Sequence, residues 1–144
     1  MTAEIDSIVE NFEQLDDWDD KYRYLIELGG SLVPLSEPEH CAVNKVQGCA
    51  SQVWIVSNRE SGTDPVMHFR GDSDAHIVRG LVAIVLAVFS GKHASGIGAT
   101  DETALFSRLK LADHITPQRS NGLRSMVARI KNEARQALVP QQPA

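Results

Sequence analysis

The chain is 144 residues long, 42% hydrophobic and carries a formal net charge of −5, a size and composition that suit one globular domain with a real core. The charge lacks the basic excess of a phosphate-binding surface, so nucleic acid is not an expected partner. The longest apolar run, Leu81 to Phe89, falls far short of the roughly 20 residues of a membrane span. With an acidic start at Glu4 and Asp6 instead of a secretory signal, the expected location is the cytoplasm, with no membrane partner.

Ile5, Ile8, Val9, Phe12 and Leu15 recur at helical spacing, with acidic residues at the positive end of the helix dipole. A second helix is expected from about Asp17 to Leu28, with Trp18, Tyr22, Leu25 and Ile26 on one side and Gly29-Gly30 as its stop. Pro34 and Pro38 break the chain into a loop, Ser31 to Ala42. Lys45 to Gln47, Gln52 to Asn58 and Val66 to Arg70 read as three antiparallel strands, the second rich in β-branched and aromatic residues.

Gly71-Asp72-Ser73 closes the sheet, and Asp72 or Ser73 is placed to cap a helix from about Asp74 to Ser90. Apolar on nearly every face, that helix is the expected centre of the core, with Trp18 and Trp54 as core residues. Gly91, Gly96 and Gly98 mark a connector with room for one helical turn, followed by a helix over Asp101 to Leu109. Thr116-Pro117 opens a long last helix with the stripe Leu123, Met126, Val127, Ile130, Ala134 and Leu138. The expected architecture is α+β: a three-stranded antiparallel sheet packed with helices, in a single domain over 1–139 with a disordered tail at 140–144.

The chemistry is expected between the first two strands, where Gly48 precedes Cys49. Glycine accepts the positive φ of a tight turn and has no side chain to shield its neighbour, so the thiol projects from a loop tip. Such a thiol is either a nucleophile, active as its thiolate, or a small buried apolar group. Two cysteines, Cys41 and Cys49, are too few for a disulfide framework and stay reduced in a reducing compartment.

Three further readings remain open on residue types alone. His40, His68, His76, His93 and His114 offer bases for a cysteine hydrolase, although none stands in a recognisable signature. Cys49, Cys41 and a histidine such as His40 make an iron-sulfur scaffold or metal-binding module, at a spacing poor for structural zinc. Cys41 can also pair with an oxidised Cys49.

Three motifs in order extend the reading: Asn44 to Trp54, with Gln47-Gly48-Cys49-Ala50-Ser51 at its centre; Gly71-Asp72-Ser73-Asp74-Ala75 with Ile77 to Leu81; and Thr116 to Leu123. Together, from about Ile5 to Ala134, the chain resembles the SufE-like cysteine desulfuration proteins. The resemblance implies that Cys49 takes sulfane sulfur from a PLP-dependent cysteine desulfurase, stimulating that enzyme, and passes it on to an iron-sulfur scaffold complex or other acceptor for iron-sulfur cluster assembly. It further implies an α+β fold related to the IscU type, an active-site loop of Gln47, Gly48, Ala50 and Ser51, and Asp72, Asp74 and Arg119 close to that loop.

No bound cofactor is implied, only a transient persulfide on Cys49, since PLP belongs to the partner. The chain is thus expected to act as a sulfur-transfer accessory and not as a stand-alone enzyme. Asp72 and Asp74 also have an ordinary reading as helix N-terminal residues, and Arg119 as a solvated helix charge. Gly122, costly inside a helix, points to another stretch of backbone close by. Cys41 departs from the family motif. A resting loop that tucks the sulfur inward would protect a persulfide, and Val46 and Val53 flank the tip for it.

Overall fold

The computed structural model describes residues 3–49, 51–111 and 115–138. Ala50, His114 and the expected tail lie outside them. Two helices come first, α1 (Ala3–Gln14) and α2 (Trp18–Gly30), and then a loop with one 3₁₀ turn at Glu37–Glu39. Strands β1 (Val53–Arg59) and β2 (Val66–Ser73) precede α3 (His76–Phe89), the two-residue strand β3 (Lys92–His93) and the short α4 (Ala94–Ala99). The chain ends with α5 (Glu102–Leu109) and α6 (Pro117–Leu138).

The sheet is antiparallel in the order β1-β2-β3, with Val53 opposite Ser73, Arg59 opposite Met67, and Met67 opposite Lys92. Three strands are therefore present, but the third is not the expected Lys45 to Gln47. That segment makes a single bridge, Lys45 to Trp54. Two bonds frame that bridge, the Ile55 N–H to the Asn44 carbonyl at 2.9 Å and the Val46 N–H to the Val53 carbonyl at 2.8 Å, and turns at 42–44 and 47–48 end the pairing on both sides. Helix α6 occupies its other side, so no second strand can pair there.

Strand β2 runs on through Gly71-Asp72-Ser73 because alternation continues: Met67, Phe69, Gly71 and Ser73 are buried while their neighbours are less so. The following helix thus starts later than the sequence suggests, at His76. Ala75 is its N-cap, without a side-chain cap. Ser73 Oγ instead accepts from the Ala75 N–H at 3.3 Å and donates to the Gln52 carbonyl at 2.7 Å.

Helix α3 is the buried axis, with Leu81, Val82, Ile84, Val85 and Phe89 fully enclosed. It rests against α2, β2, α6 and α1, and one continuous apolar cluster runs from Ile5 to Ala134. Its closest neighbour is α2: a Cβ added at Gly80 would stand 2.2 Å from the Leu25 carbonyl oxygen. Only hydrogen fits there. Asp17 caps α2 by accepting from the Asp19 N–H at 2.9 Å, and Asp101 caps α5 through the Ala104 N–H.

Trp18 packs edge-on to Phe12 at 5.5 Å between ring centroids and joins the edge of the core. Trp54 does not. It lies on the opposite face of β1 from the buried Val53 and Ile55, half-buried under the edge of the His40 ring, 4.8 Å away. On α6 the expected stripe is buried from Leu123 to Ala134, while Leu138 is exposed.

Candidate functional site

The segment 43–49 lies antiparallel along one face of α6. Gly122, Ser125 and Arg129 follow one another at helical spacing, so they form one stripe about 10 Å long. Cys49 sits on Gly122, its thiol 3.6 Å from the Gly122 carbonyl oxygen, to which it donates. A Cβ added at Gly48 would meet Ser125 Oγ at 2.5 Å. The Val43 and Lys45 carbonyls accept from Arg129 at 2.9 and 3.3 Å.

Gly48 turns the chain at φ +91°, a conformation that side-chain-bearing residues avoid. Gln47 and Gly48 are exposed at the tip, Val46 beneath them is buried, and Cys49 is half-buried. The thiol therefore does not project freely from the tip. Burial pushes its pKa above the ordinary value, because the low-dielectric surroundings disfavour the thiolate.

Beside the sulfur is a cavity of about 20 Å³ lined by Cys49, Ser51, Val78, Gln118, Arg119, Gly122 and Met126. Its volume suits one water-sized atom. Three of the sequence-nominated residues, Cys49, Ser51 and Arg119, thus share one wall-to-wall space. Arg119 stands in the first turn of α6, where Thr116 Oγ1 accepts its N–H at 3.2 Å. A cation lining the cavity and the positive end of a 22-residue helix both favour a negative charge placed there, opposing the effect of burial.

Asp72 and Asp74 lie at the two roots of the loop. Asp72 Oδ2 is 2.9 Å from His40 Nε2, and its Oδ1 accepts from the Ser73 N–H at 2.8 Å. Arg79 Nε stands 3.1 Å from the same Oδ1 but is not aligned to hydrogen-bond, so the contact is purely electrostatic. Asp74 holds the outgoing root: Oδ1 accepts from the Gln52 N–H at 3.1 Å and Oδ2 from the Gln52 side chain at 3.4 Å. These aspartates tie the loop's flanks to the β2–α3 corner instead of capping α3.

The incoming flank has a second tie. Glu39 forms an ion pair with Arg70, which lowers the carboxyl pKa to about 2, and its side chain also accepts from the Ser36 N–H at 2.9 Å. His40 presents both ring nitrogens to acceptors, Asp72 and the Ser36 carbonyl at 2.9 Å, and hydrogen bonding to Asp72 raises its pKa. An imidazolium satisfies both at once.

No described histidine is hydrogen-bonded to Cys49: His40 faces Asp72, His68 faces Glu60 and His93 faces the Asp64 carbonyl. No described histidine is thus held by the thiol as the base of a hydrolase would be. Among the described residues no three of His, Cys, Asp and Glu come together to hold a metal ion. Cys41 is exposed and unbridged. None of the described helices is long and apolar enough to cross a membrane.

Sequence reasoning missed Ser125, Met126, Val78 and Arg129 as neighbours of the loop. Met126 and Val78 read as core, and nothing in the residue order around it singles out Arg129. The signal available was spacing: Gly122, Ser125 and Arg129 fall on one helical face.

A solved structure, the solution structure of a hypothetical protein from Thermus thermophilus, superposes with a TM-score of 0.74 over 94% of this chain and 96% of that one at 17% identity, a likeness of fold. An uncharacterized SufE-like protein of Rhizobium etli is 56% identical over 134 residues, covering 92% of this chain and 90% of its own. Another from Rhizobium meliloti is 54% identical over 135 residues, covering 93% and 96%. The family profile described as SufE, Fe-S metabolism associated domain, matches residues 6–134. With that span covering nearly the whole chain, from α1 to the last turns of α6, this protein belongs to the SufE family.

Proposed function

We propose that Cys49 is a sulfur acceptor: it takes sulfane sulfur from the persulfide of a PLP-dependent cysteine desulfurase, and hands it to an iron-sulfur scaffold or another acceptor in the cytoplasm. The observation that carries this reading is the pairing of one turn-borne thiol with a single-atom cavity at the positive end of α6. Family membership supports it through the association with iron-sulfur metabolism.

In the transfer step the Cys49 thiolate attacks the outer sulfur of the donor persulfide. A new S–S bond forms on Cys49, the donor's S–S bond breaks, and the donor cysteine leaves as a thiolate. The proton lost from Cys49 balances the one the donor thiolate takes up. Attack on the inner sulfur would leave a mixed disulfide instead, so alignment decides the outcome.

Burial holds the resting thiol protonated and turned toward Gly122, which suppresses wasteful chemistry. A donor must therefore draw the loop off α6 before transfer. Once loaded, the outer sulfur has a space of its own size beside Arg119, whose charge suits a persulfide anion. Retraction keeps that sulfur from cellular reductants.

Intact mass after incubation with a cysteine desulfurase and cysteine tests the reading. The expected result is a gain of one sulfur on Cys49, absent in Cys49→Ser and reversed by reductant. No gain with any cysteine desulfurase tried would sink it.

A further inference from the structure

Arg129 stands two helical turns from Gly122 and far from the reacting sulfur, yet it makes more bonds to the Cys49 loop than any other described side chain of α6. Its guanidinium fork donates one N–H to each of two loop carbonyls, Val43 at 2.9 Å and Lys45 at 3.3 Å, and a third to Glu133 Oε1 at 3.1 Å. Val43 lies in the turn that enters the loop and Lys45 in its single bridge to β1, and no other described group donates to either carbonyl, so without Arg129 both depend on solvent. One planar cation thus pins the turn and the bridge residue of the incoming loop to α6.

Glu133 adds a second observation. Its Oε1 holds Arg129, while its Oε2 is buried without a partner. A buried carboxylate oxygen left unpaired is costly, and a guanidinium released from Val43 and Lys45 can turn to take both oxygens. Both the held and the released positions of Arg129 therefore have acceptors in place.

We propose that Arg129 is a positioning residue that holds the loop down on α6, and that its transfer from the Val43 and Lys45 carbonyls to Glu133 accompanies release of Cys49. The loop then has a firm root at Asp72 and Asp74 and a releasable clasp at Arg129. Lysine cannot replace the fork, because a point charge on a flexible stem does not serve two carbonyls and a carboxylate in fixed directions.

The test uses the full chain in a Cys41→Ser background, so that Cys49 is its only thiol. Iodoacetamide alkylation of Cys49 is timed for Arg129→Lys, Arg129→Met and Glu133→Gln, with thermal unfolding measured alongside. Lys131→Met is the control for general destabilisation, since Lys131 ties α6 to the Thr100 carbonyl and Glu102, away from the loop. Both Arg129 variants are expected to react about tenfold faster than the parent, the scale of losing hydrogen bonds from a charged donor, and Lys131→Met within about twofold of it. Glu133→Gln, which keeps the fold's shape while loosening the hold on Arg129, should fall between and serves if the Arg129 variants do not fold. Parental rates in the folded Arg129 variants, or in Glu133→Gln where these do not fold, or an equal rise in Lys131→Met, overturn the proposal.

A second readout rests on the sulfur-acceptor reading: after loading by a cysteine desulfurase, Arg129→Lys should lose its persulfide to glutathione faster than the parent. Faster alkylation with no persulfide on any variant would overturn the acceptor reading and leave the clasp standing. Persulfide loading with unchanged alkylation would overturn the clasp alone.

Discussion

The Cys49 thiol donates to the main-chain carbonyl of Gly122 across 3.6 Å, and Gly122 has no side chain to hold the two apart. A β-carbon there would lie 3.4 Å from Sγ and 3.7 Å from Cα of Cys49, ordinary contact with no collision. Gly122→Ala should therefore fold, and its helix gains up to about 1 kcal/mol from the lost flexibility of glycine. A larger residue, as in Gly122→Leu, must push the thiol off α6 and fill its cavity. Thermal unfolding should show an unchanged or higher midpoint for alanine, and timed alkylation should show a faster Cys49 for leucine; a lowered midpoint for alanine would mean tighter packing than these distances allow.

Burial without an opposing base makes the Cys49 thiolate scarce at neutral pH. The rate of Cys49 alkylation against pH, in a Cys41→Ser background, should have its midpoint above the ordinary thiol value of 9.0. In denaturant the midpoint should return to that value. A native midpoint below it would show that Arg119 and the α6 dipole outweigh desolvation.

His40 gives the loop's incoming root a pH dependence with a definite sign. Its pKa is raised in the folded protein, by Asp72 first and then by the Ser36 carbonyl and the charge of Glu39. The stabilisation is fully present below the unfolded value of 6.5 and is lost as pH rises through the higher folded value. Thermal midpoints of the parent and His40→Gln should thus converge on going from about pH 6 to about pH 8. A gap that widens over that range would reverse the assigned charge state. The neighbouring Glu39 carries the opposite sign: its carboxyl is lowered from 4.5 to about 2, so its contribution is present above 4.5 and disappears in strong acid.

Gly80 is the position where α2 and α3 leave no space. An alanine Cβ would meet the Leu25 carbonyl oxygen at 2.2 Å and its carbonyl carbon at 2.6 Å, both of them backbone atoms that cannot rotate away. Gly80→Ala should cost about 1–3 kcal/mol or more through forced separation of the helices. Chemical denaturation is the measurement, and a loss under about 0.5 kcal/mol, the size of an ordinary surface change, would contradict the packing.

Much of this molecule is legible in residue order because its signals are local. Hydrophobic spacing sets the faces of α1 and α6 and most of that of α2, where Ile26 is exposed and not on the buried side as expected; Asp17, Asp101 and Thr116-Pro117 mark helix starts, and β-branched residues mark β1. The turn at Gly48 and the candidacy of Cys49 follow equally from neighbours in sequence. Position 122 also stands out in residue order, since a glycine inside a helix marks where other backbone can come close, and the Cys49 backbone does.

What tertiary structure decided were the relationships between distant segments. Lys45 to Gln47 has a strand's alternation, but turns at 42–44 and 47–48 leave it room for only one bridge to β1, and α6 with Arg129 covers its other side. Trp54 is apolar enough for the core, yet the pleat places it opposite Val53 and Ile55, against His40. Asp72 and Asp74 have the composition of helix caps, but β2 runs on through Ser73 and turns their carboxylates to His40 and Gln52. Above all, sequence alone presents Cys49 as a thiol at an exposed tip, and packing against α6 makes it a half-buried one. Local propensity fixes how a segment bends; only the packed chain determines what shields it, because burial is a property of the whole fold.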